Sequence, residues 1–147
     1  MKAFRFRLQT LLELRQAKED QLAGELAELR REEALDLSRL HRLIDRHASA
    51  CERVREALVE SAAVEEIERR DEYAKTLRDD IRVQELTLEA VRKRVEAKRE
   101  ELVEAMKQRQ VIESLRGKQE SAYLAAQAAI EQKQLDETAS VRYARRV

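Results

Sequence analysis

Mostly aliphatic residues recur along the first half of the chain at alternating intervals of three and four. This spacing lines up side chains on one face of an α-helix and is typical of a coiled-coil seam. The first positions are Leu8, Leu12, Arg15, Glu19, Leu22, Leu26 and Leu29. After an additional four-residue step through Glu33, we predict that the seam continues through Leu37, Leu40, Ile44, His47, Cys51, Val54 and Leu58. Such a step locally unwinds a supercoil without breaking the helix.

The second half of the chain carries a seam of its own. Its positions are Leu77, Ile81, Gln84, Leu88, Val91, Val95, Lys98, Leu102, Ala105, Arg109 and Ile112. Eight of these eleven are apolar, which is enough for a coiled-coil stripe and fewer than in an ideal zipper. The pattern therefore predicts a second long helix.

Both registers lapse near residues 60–65, where Ser61 is a candidate cap for the second helix. The chain has no proline and two glycines, so one continuous helical rod stays open on local grounds. We favour an all-α fold, a long antiparallel two-helix coiled-coil hairpin, because folding back lets two partial seams bury each other. The predicted single domain has one arm over about 3–60, a turn over about 60–66 and a second arm over about 66–140. Residues beyond about 118 would then overhang unless they pack on something else.

The composition agrees with this fold and narrows the function. Charged residues make up 41% of the chain and aromatic residues 3%, as in coiled coils and long helices. Thirty basic and thirty acidic residues cancel, which argues against nucleic acid as a partner. A single cysteine excludes an internal disulfide and fits a reducing compartment. With no secretion signal and no apolar run that would insert into a membrane, we expect a soluble cytoplasmic protein.

The sequence offers no motif for catalysis. It has no glycine-rich phosphate loop, so we expect no nucleotide cofactor. His41 and His47 are six residues apart, and neither follows a glutamate by three, so we expect no metal site. On the predicted seam, His47 and Cys51 are interpreted as packed residues, Cys51 as a small buried apolar one. We expect no catalytic residues and no enzymatic activity.

Both ends of the chain are basic. The first eighteen residues hold Lys2, Arg5, Arg7, Arg15 and Lys18 against Glu13 alone, and the last residues include Arg142, Arg145 and Arg146. A hairpin would bring the two ends together as one positive pole; chance clustering near helix termini is the alternative. Phe4 and Phe6, the only phenylalanines, lie in the first segment and are candidate interface anchors.

A second candidate surface begins just after the predicted turn, at Tyr73, Leu77, Ile81 and Gln84. The last three lie on the seam, where core packing is the default, whereas Tyr73 stands one position off that phase. We therefore expect Tyr73 to be partly exposed.

Several segments, taken in order, resemble the FliJ family of the flagellar type III export apparatus. They comprise residues 4–15; Tyr73, Leu77, Ile81 and Gln84; Arg99, Leu102, Ala105, Arg109, Ile112, Glu113, Leu115 and Tyr123; and residues 131–137. The opening and the Glu-Gln-Lys…Leu-Asp-Glu ending are the most informative. The length and the segment order match across essentially the whole chain.

The resemblance implies a stalk that enters the hexameric flagellar export ATPase, promotes its assembly and activity, and reaches the membrane export gate. It implies an ATPase-facing end made of Phe4, Arg5, Phe6, Arg7, Leu8, Gln9 and Leu12. It implies that the gate platform protein is met by Tyr73, Leu77, Ile81 and Gln84. Asp80 stands in that patch where a small apolar residue is expected. Export chaperones are further implied partners, and the implied location is the cytoplasm, peripheral to the inner membrane at the flagellar base.

Two other functions fit the same sequence. One is the equivalent stalk of a virulence type III secretion system, which the sequence does not separate from a flagellar one. The other is a structural coiled-coil spacer with no ATPase partner, which would leave the hydrolysis rate of the export ATPase unchanged.

Overall fold

A computed structural model describes residues 2–147, which form two helices and no strand. Helix α1 spans Gln9–Val59 and helix α2 spans Val64–Arg146. Gly24 and Gly117 both lie inside helices, where each costs about 1 kcal/mol relative to alanine. Without proline, no residue interrupts the hydrogen bonds of either helix. The helices pack against each other, so the predicted all-α helical hairpin is confirmed and the continuous rod is wrong.

The four residues 60–63 join the helices through a Schellman motif at the end of α1. The amide of Ala62 donates to the carbonyl of Ala57 at 3.0 Å, and the amide of Ser61 donates to the carbonyl of Leu58 at 3.3 Å. Ser61 has a left-handed backbone with φ of 55°. It therefore terminates α1, and the prediction that it caps α2 is wrong. The carbonyl of Ala63 accepts the first amides of α2 instead.

The chain divides into two compact units, to which both helices contribute. The turn unit comprises Leu22–Glu101, and the terminal unit comprises Met1–Gln21 with Leu102–Val147. The turn unit contains the interhelical turn and the gate-facing residues implied by the resemblance. The terminal unit contains the implied ATPase-facing residues.

In the turn unit, α1 keeps an unbroken alternation of three- and four-residue steps. The buried and half-buried seam positions are Leu22, Leu26, Leu29, Glu33, Asp36, Leu40, Leu43, His47, Ala50, Val54 and Ala57. Asp36, not Leu37, follows Glu33 in this series, so the predicted extra four-residue step is wrong. Ile44 and Leu58, predicted on the seam, are 44% and 59% exposed.

Helix α2 follows its predicted seam closely. All eleven predicted positions, from Leu77 to Ile112, are buried or half-buried. Near the turn, Ala50, Ala74 and Leu77 form a core cluster against which Leu43 packs. Two of these four side chains are alanines, which lets the helices approach closely at this point.

Charged side chains complete the packing where apolar residues are missing. In the turn unit, Lys98 bridges to Glu25 at 3.0 Å and Arg92 to Glu33 at 3.3 Å. The hydrogen bond to Glu25, followed by that to Glu101, raises the pKa of Lys98 above the ordinary lysine value. Lys98 therefore stays charged on the seam.

Neither helix, within residues 2–147, has an apolar stretch of the length that crossing a membrane requires.

Candidate interaction surfaces

Residues 2–8 precede α1 and lie against α2 within the terminal unit. The ring of Phe4 meets the ring of Tyr123 with centroids 5.6 Å apart and planes tilted by 43°. The hydroxyl of Tyr123 donates to the main-chain carbonyl of Lys2, and it accepts a hydrogen bond from the amide of Gln127 at 2.8 Å. The only buried residue of this segment is Phe6, at 9% exposure. Phe4 thus attaches the N-terminal segment to α2, and Phe6 is buried within the terminal unit.

This packing sorts the seven implied ATPase-facing residues into an inner and an outer set. Phe6 and Leu12 are buried, and Phe4 and Gln9 are half-buried. The exposed members are Arg5, Arg7 and Leu8. The outer set presents two positive charges beside one aliphatic side chain, and the inner set holds the segment in place. Sequence reasoning gave Phe4 and Phe6 as candidate interface anchors and missed the contact of Phe4 with Tyr123.

The prediction that the two basic ends of the chain come together as one positive pole is wrong. The carbonyl of Lys2 contacts Tyr123, but α2 continues without interruption to Arg146. Arg142 lies nineteen residues after Tyr123, a distance of roughly 28 Å at the helical rise of 1.5 Å per residue. The two basic clusters are therefore separate, and residues 128–147 are all exposed. Tyr123 and Gln127 pack, so the exposed stretch begins later than the predicted position of about 118.

Further along the terminal unit, an ionic contact joins the helices. Arg109 donates to Glu19 of α1 and to Glu113 of its own helix. The hydrogen bond to Glu19 is the main reason that the pKa of Arg109 is raised above its ordinary value. Next to it, Arg15 donates to the side-chain oxygen of Gln108 at 2.6 Å.

The four implied gate-facing residues are also divided between the interior and the surface of the turn unit. Leu77 is 4% exposed in the core cluster, and Ile81 is half-buried. Gln84 points inward, where its amide donates to the carbonyl of Asp36 at 3.1 Å and to its carboxylate at 3.4 Å. Tyr73 is 50% exposed, as expected, and Asp80 is exposed as well. Of the four, Tyr73 therefore offers the most surface to a partner.

Tyr73 borders a groove of about 410 Å³ between the two helices. The groove is also lined by Ala50 and by five charged residues: Arg53, Glu56, Glu66, Arg69 and Arg70. Sequence reasoning missed this group of charged residues because it is drawn from two helices, which only the folded hairpin brings together. Arg53 follows Ala50 by three residues, so both lie on the same side of α1. A correct assignment of Ala50 to the seam would therefore have indicated the side of the hairpin on which Arg53 lies.

Asp36 is a second residue that sequence reasoning missed. It is 4% exposed and is the only buried charged residue within residues 2–147. Arg39 donates to its carboxylate at 3.2 Å, in addition to the amide of Gln84. Continuing the three-four alternation past Glu33 would have identified it.

His41 and His47, the histidines considered for metal chemistry, both lie on α1. His47 is half-buried on the seam, and its Nε2 lies 3.6 Å from the sulfur of Cys51. Cys51 itself is exposed, so its interpretation as a buried apolar residue is wrong. In the part of the chain that the structure describes, no group of three or more metal-binding side chains comes together.

Comparison with known protein families identifies a match over nearly the whole chain. The sequence model of a family described as "Flagellar FliJ protein" matches residues 4–147, nearly the whole chain. No curated protein and no solved structure matches the chain significantly.

Proposed function

The chain belongs to the FliJ family of flagellar proteins, and from this premise we propose that it acts as a stalk in the flagellar export ATPase. Membership makes it a coiled-coil component associated with flagellar type III protein export. The finer proposal is that its N-terminal segment enters the hexameric ATPase and promotes ring assembly and ATP turnover. The family is a flagellar one, which favours this over a virulence secretion stalk.

The observation that supports the ATPase contact is the attached N-terminal segment. The contact of Phe4 with Tyr123 holds it on α2 and Phe6 is buried, while Arg5 and Arg7 stay exposed beside them. A segment fixed in this way loses little conformational freedom on binding, so more of its contact energy remains as affinity. The exposed arginines would steer the segment toward acidic surface of the ring.

The test is the ATP hydrolysis rate of the purified export ATPase with and without the chain. The wild-type chain should stimulate hydrolysis. The Arg5→Glu, Arg7→Glu double variant should stimulate it less at low salt, and the deficit should shrink at high salt because screening weakens steering. The matched control is the Arg30→Glu, Arg31→Glu double variant. It reverses the charge of two exposed arginines of α1 in the turn unit and should behave as wild type. A wild-type chain that leaves hydrolysis unchanged would favour the structural spacer.

Phe4→Ala with Phe6→Ala should also reduce stimulation, for a different reason. Phe6 is buried and Phe4 contacts Tyr123, so this variant should release the N-terminal segment from α2. Its deficit should persist at all salt concentrations, since no charge is altered. Full stimulation by both double variants would move the ATPase contact elsewhere.

We propose further that the turn unit docks on the export-gate platform protein through Tyr73, with Leu77, Ile81 and Gln84 as its supporting residues. Tyr73→Ala should weaken binding to the purified platform protein and leave ATPase stimulation intact. Tyr143→Ala, at 74% exposure in the terminal unit, is the control for loss of an exposed tyrosine. Wild-type affinity of the Tyr73 variant would exclude the patch. Asp80→Ala should strengthen docking if desolvation of the carboxylate opposes contact.

Export chaperones complete the proposed set of partners. The proposed location is the cytoplasmic side of the inner membrane, peripheral to it at the flagellar base. We propose no enzymatic activity, cofactor or nucleic-acid partner for the chain itself.

A further inference from the structure

The groove beside Tyr73 contains three arginines, of which two are paired with a carboxylate and one is not. Arg70 donates to the carboxylate of Glu66 at 2.8 Å, and Arg69 pairs with the same carboxylate. Arg70 also donates to the main-chain carbonyl of Arg53 at 3.0 Å. The guanidinium of Arg53 has no hydrogen bond or ion pair within residues 2–147. Arg53 is thus the free cation of the groove.

The remaining charge in the groove is the carboxylate of Glu56, which is likewise unpaired in the described part of the chain. Glu56 follows Arg53 by three residues, and this order of base before acid is the weaker one on a helix. Counting all lining residues, three arginines face two glutamates, so the groove is positive overall although the chain is neutral.

We propose that this groove binds an acidic segment of the gate platform protein, with a partner carboxylate on Arg53 and an apolar side chain against Tyr73. The inference rests on the proposed gate docking and adds the chemistry of the segment that is recognised. A guanidinium can hold a carboxylate through two parallel hydrogen bonds, which fixes the position of the segment as well as attracting it. Tyr73 and Ala50 supply the apolar part of the lining.

Glu56 makes the two sides of the groove unequal for an acidic ligand. A partner carboxylate on Arg53 is repelled by the neighbouring Glu56, so the acidic side chain is favoured on the Arg53 side of the groove and disfavoured on the Glu56 side. Removing the two charges should therefore change affinity in opposite senses. Uncharged substitution at either position leaves the contact of Arg70 with the Arg53 carbonyl in place, because that contact is made by the main chain.

The experiment is equilibrium binding of the full chain to the purified cytoplasmic part of the platform protein, over a range of salt concentrations. Arg53→Glu should raise the Kd about tenfold at low salt and about threefold at high salt, as expected for an exposed charge pair. Arg53→Gln should weaken binding less, and Arg53→Lys should restore part of it. Glu56→Gln should lower the Kd.

Arg55→Glu is the matched control. Arg55 is two residues away, is 74% exposed in its side chain and is paired with Glu52 at 3.1 Å. It does not line the groove, so its reversal should leave the Kd unchanged. Equal weakening by Arg53→Glu and Arg55→Glu would mean a general charge effect and would overturn the inference.

The outcomes separate this inference from the docking on which it rests. If Tyr73→Ala weakens binding while Arg53→Glu and Glu56→Gln do not alter it, the docking proposal stands and the inference of an acidic partner segment is wrong. If the wild-type chain does not bind the platform protein, or Tyr73→Ala binds as wild type, both are wrong. Circular dichroism of each variant should show unchanged helicity, because both positions are exposed on α1.

Discussion

Ser61 shows how one backbone angle sets the end of a helix. Its φ of 55° lies in the left-handed region, which glycine adopts readily and other residues adopt at a cost of about 1–2 kcal/mol. It occupies the position after the helix cap where glycine is most common. The sequence gives no glycine here, so the turn could not be identified from composition.

Ser61→Gly should stabilise the protein by about 0.5–1 kcal/mol, the relief of backbone strain less the added freedom of the unfolded chain. Thermal unfolding measures this difference. Ser49→Gly, the same substitution at an exposed position within α1, should instead destabilise by about 0.5 kcal/mol. A loss of stability in the Ser61 variant would contradict the left-handed assignment.

Asp36 and Gln84 are a polar pair on seams that are otherwise mainly apolar. Buried polar pairs often contribute less to stability than apolar residues of similar size, and in coiled coils they select one register. Here the amide of Gln84 reaches both the carbonyl and the carboxylate of Asp36. We interpret the pair as a contact that fixes the alignment of α1 against α2.

Replacing both residues by leucine should raise the free energy of unfolding by about 1–2 kcal/mol, because two desolvated polar groups become apolar contacts. It should also loosen the alignment. Spin labels on cysteines at Ser49 and Thr76, with Cys51→Ser, would report a broader distance distribution than in the parent. A less stable double variant, or an unchanged distribution, would contradict the interpretation.

At the scale of the element, α1 carries two apolar stripes in its second half. The two share Leu40 and Val54. Leu43 belongs only to the buried stripe, and Ile44 and Leu58 belong only to the exposed one. Both keep the three-four spacing, and the exposed stripe has the larger side chains at several steps. Hydrophobic periodicity therefore favoured the exposed stripe, while the structure buries the one that contains Asp36 and two alanines.

Alanine substitution distinguishes the two stripes. Leu40→Ala should destabilise by about 2–3 kcal/mol, because a buried leucine leaves a cavity that a narrow interface only partly closes. Ile44→Ala, at 44% exposure, should cost less than about 1 kcal/mol. Denaturant unfolding gives both values. Because Leu40 lies on both stripes, an Ile44 variant that loses as much stability as the Leu40 variant would restore the extra four-residue step.

At the scale of the whole molecule, burial is confined to part of each helix. The last buried or half-buried positions of α2 are Tyr123 and Gln127, and residues 128–147 are all exposed. The stability of this stretch as a helix comes from local hydrogen bonds and propensity, since it has no packed face within its unit. It is therefore the part of the terminal unit with the most surface for contact with another protein.

A chain ending at residue 127 should unfold with the free energy of the full chain to within about 0.5 kcal/mol, because no buried contact is lost. Its helical signal should fall in proportion to the residues removed. Deletion of residues 2–7 should lower stability instead, since it removes the buried Phe6 and the contact of Phe4 with Tyr123. Equal loss in both deletions would show that the tail packs on the molecule.

The sequence alone determined the helical content, the seam of α2 and the partial exposure of Tyr73. These depend on local propensity and on hydrophobic periodicity, both of which can be determined from the sequence. Only the tertiary structure decided between the hairpin and the continuous rod. It also decided the seam of α1, the contact of Phe4 with Tyr123 and the groove around Arg53. In each case the deciding term is a contact between residues far apart in the chain. Two stripes of similar apolarity differ in free energy only once α2 is packed against one of them.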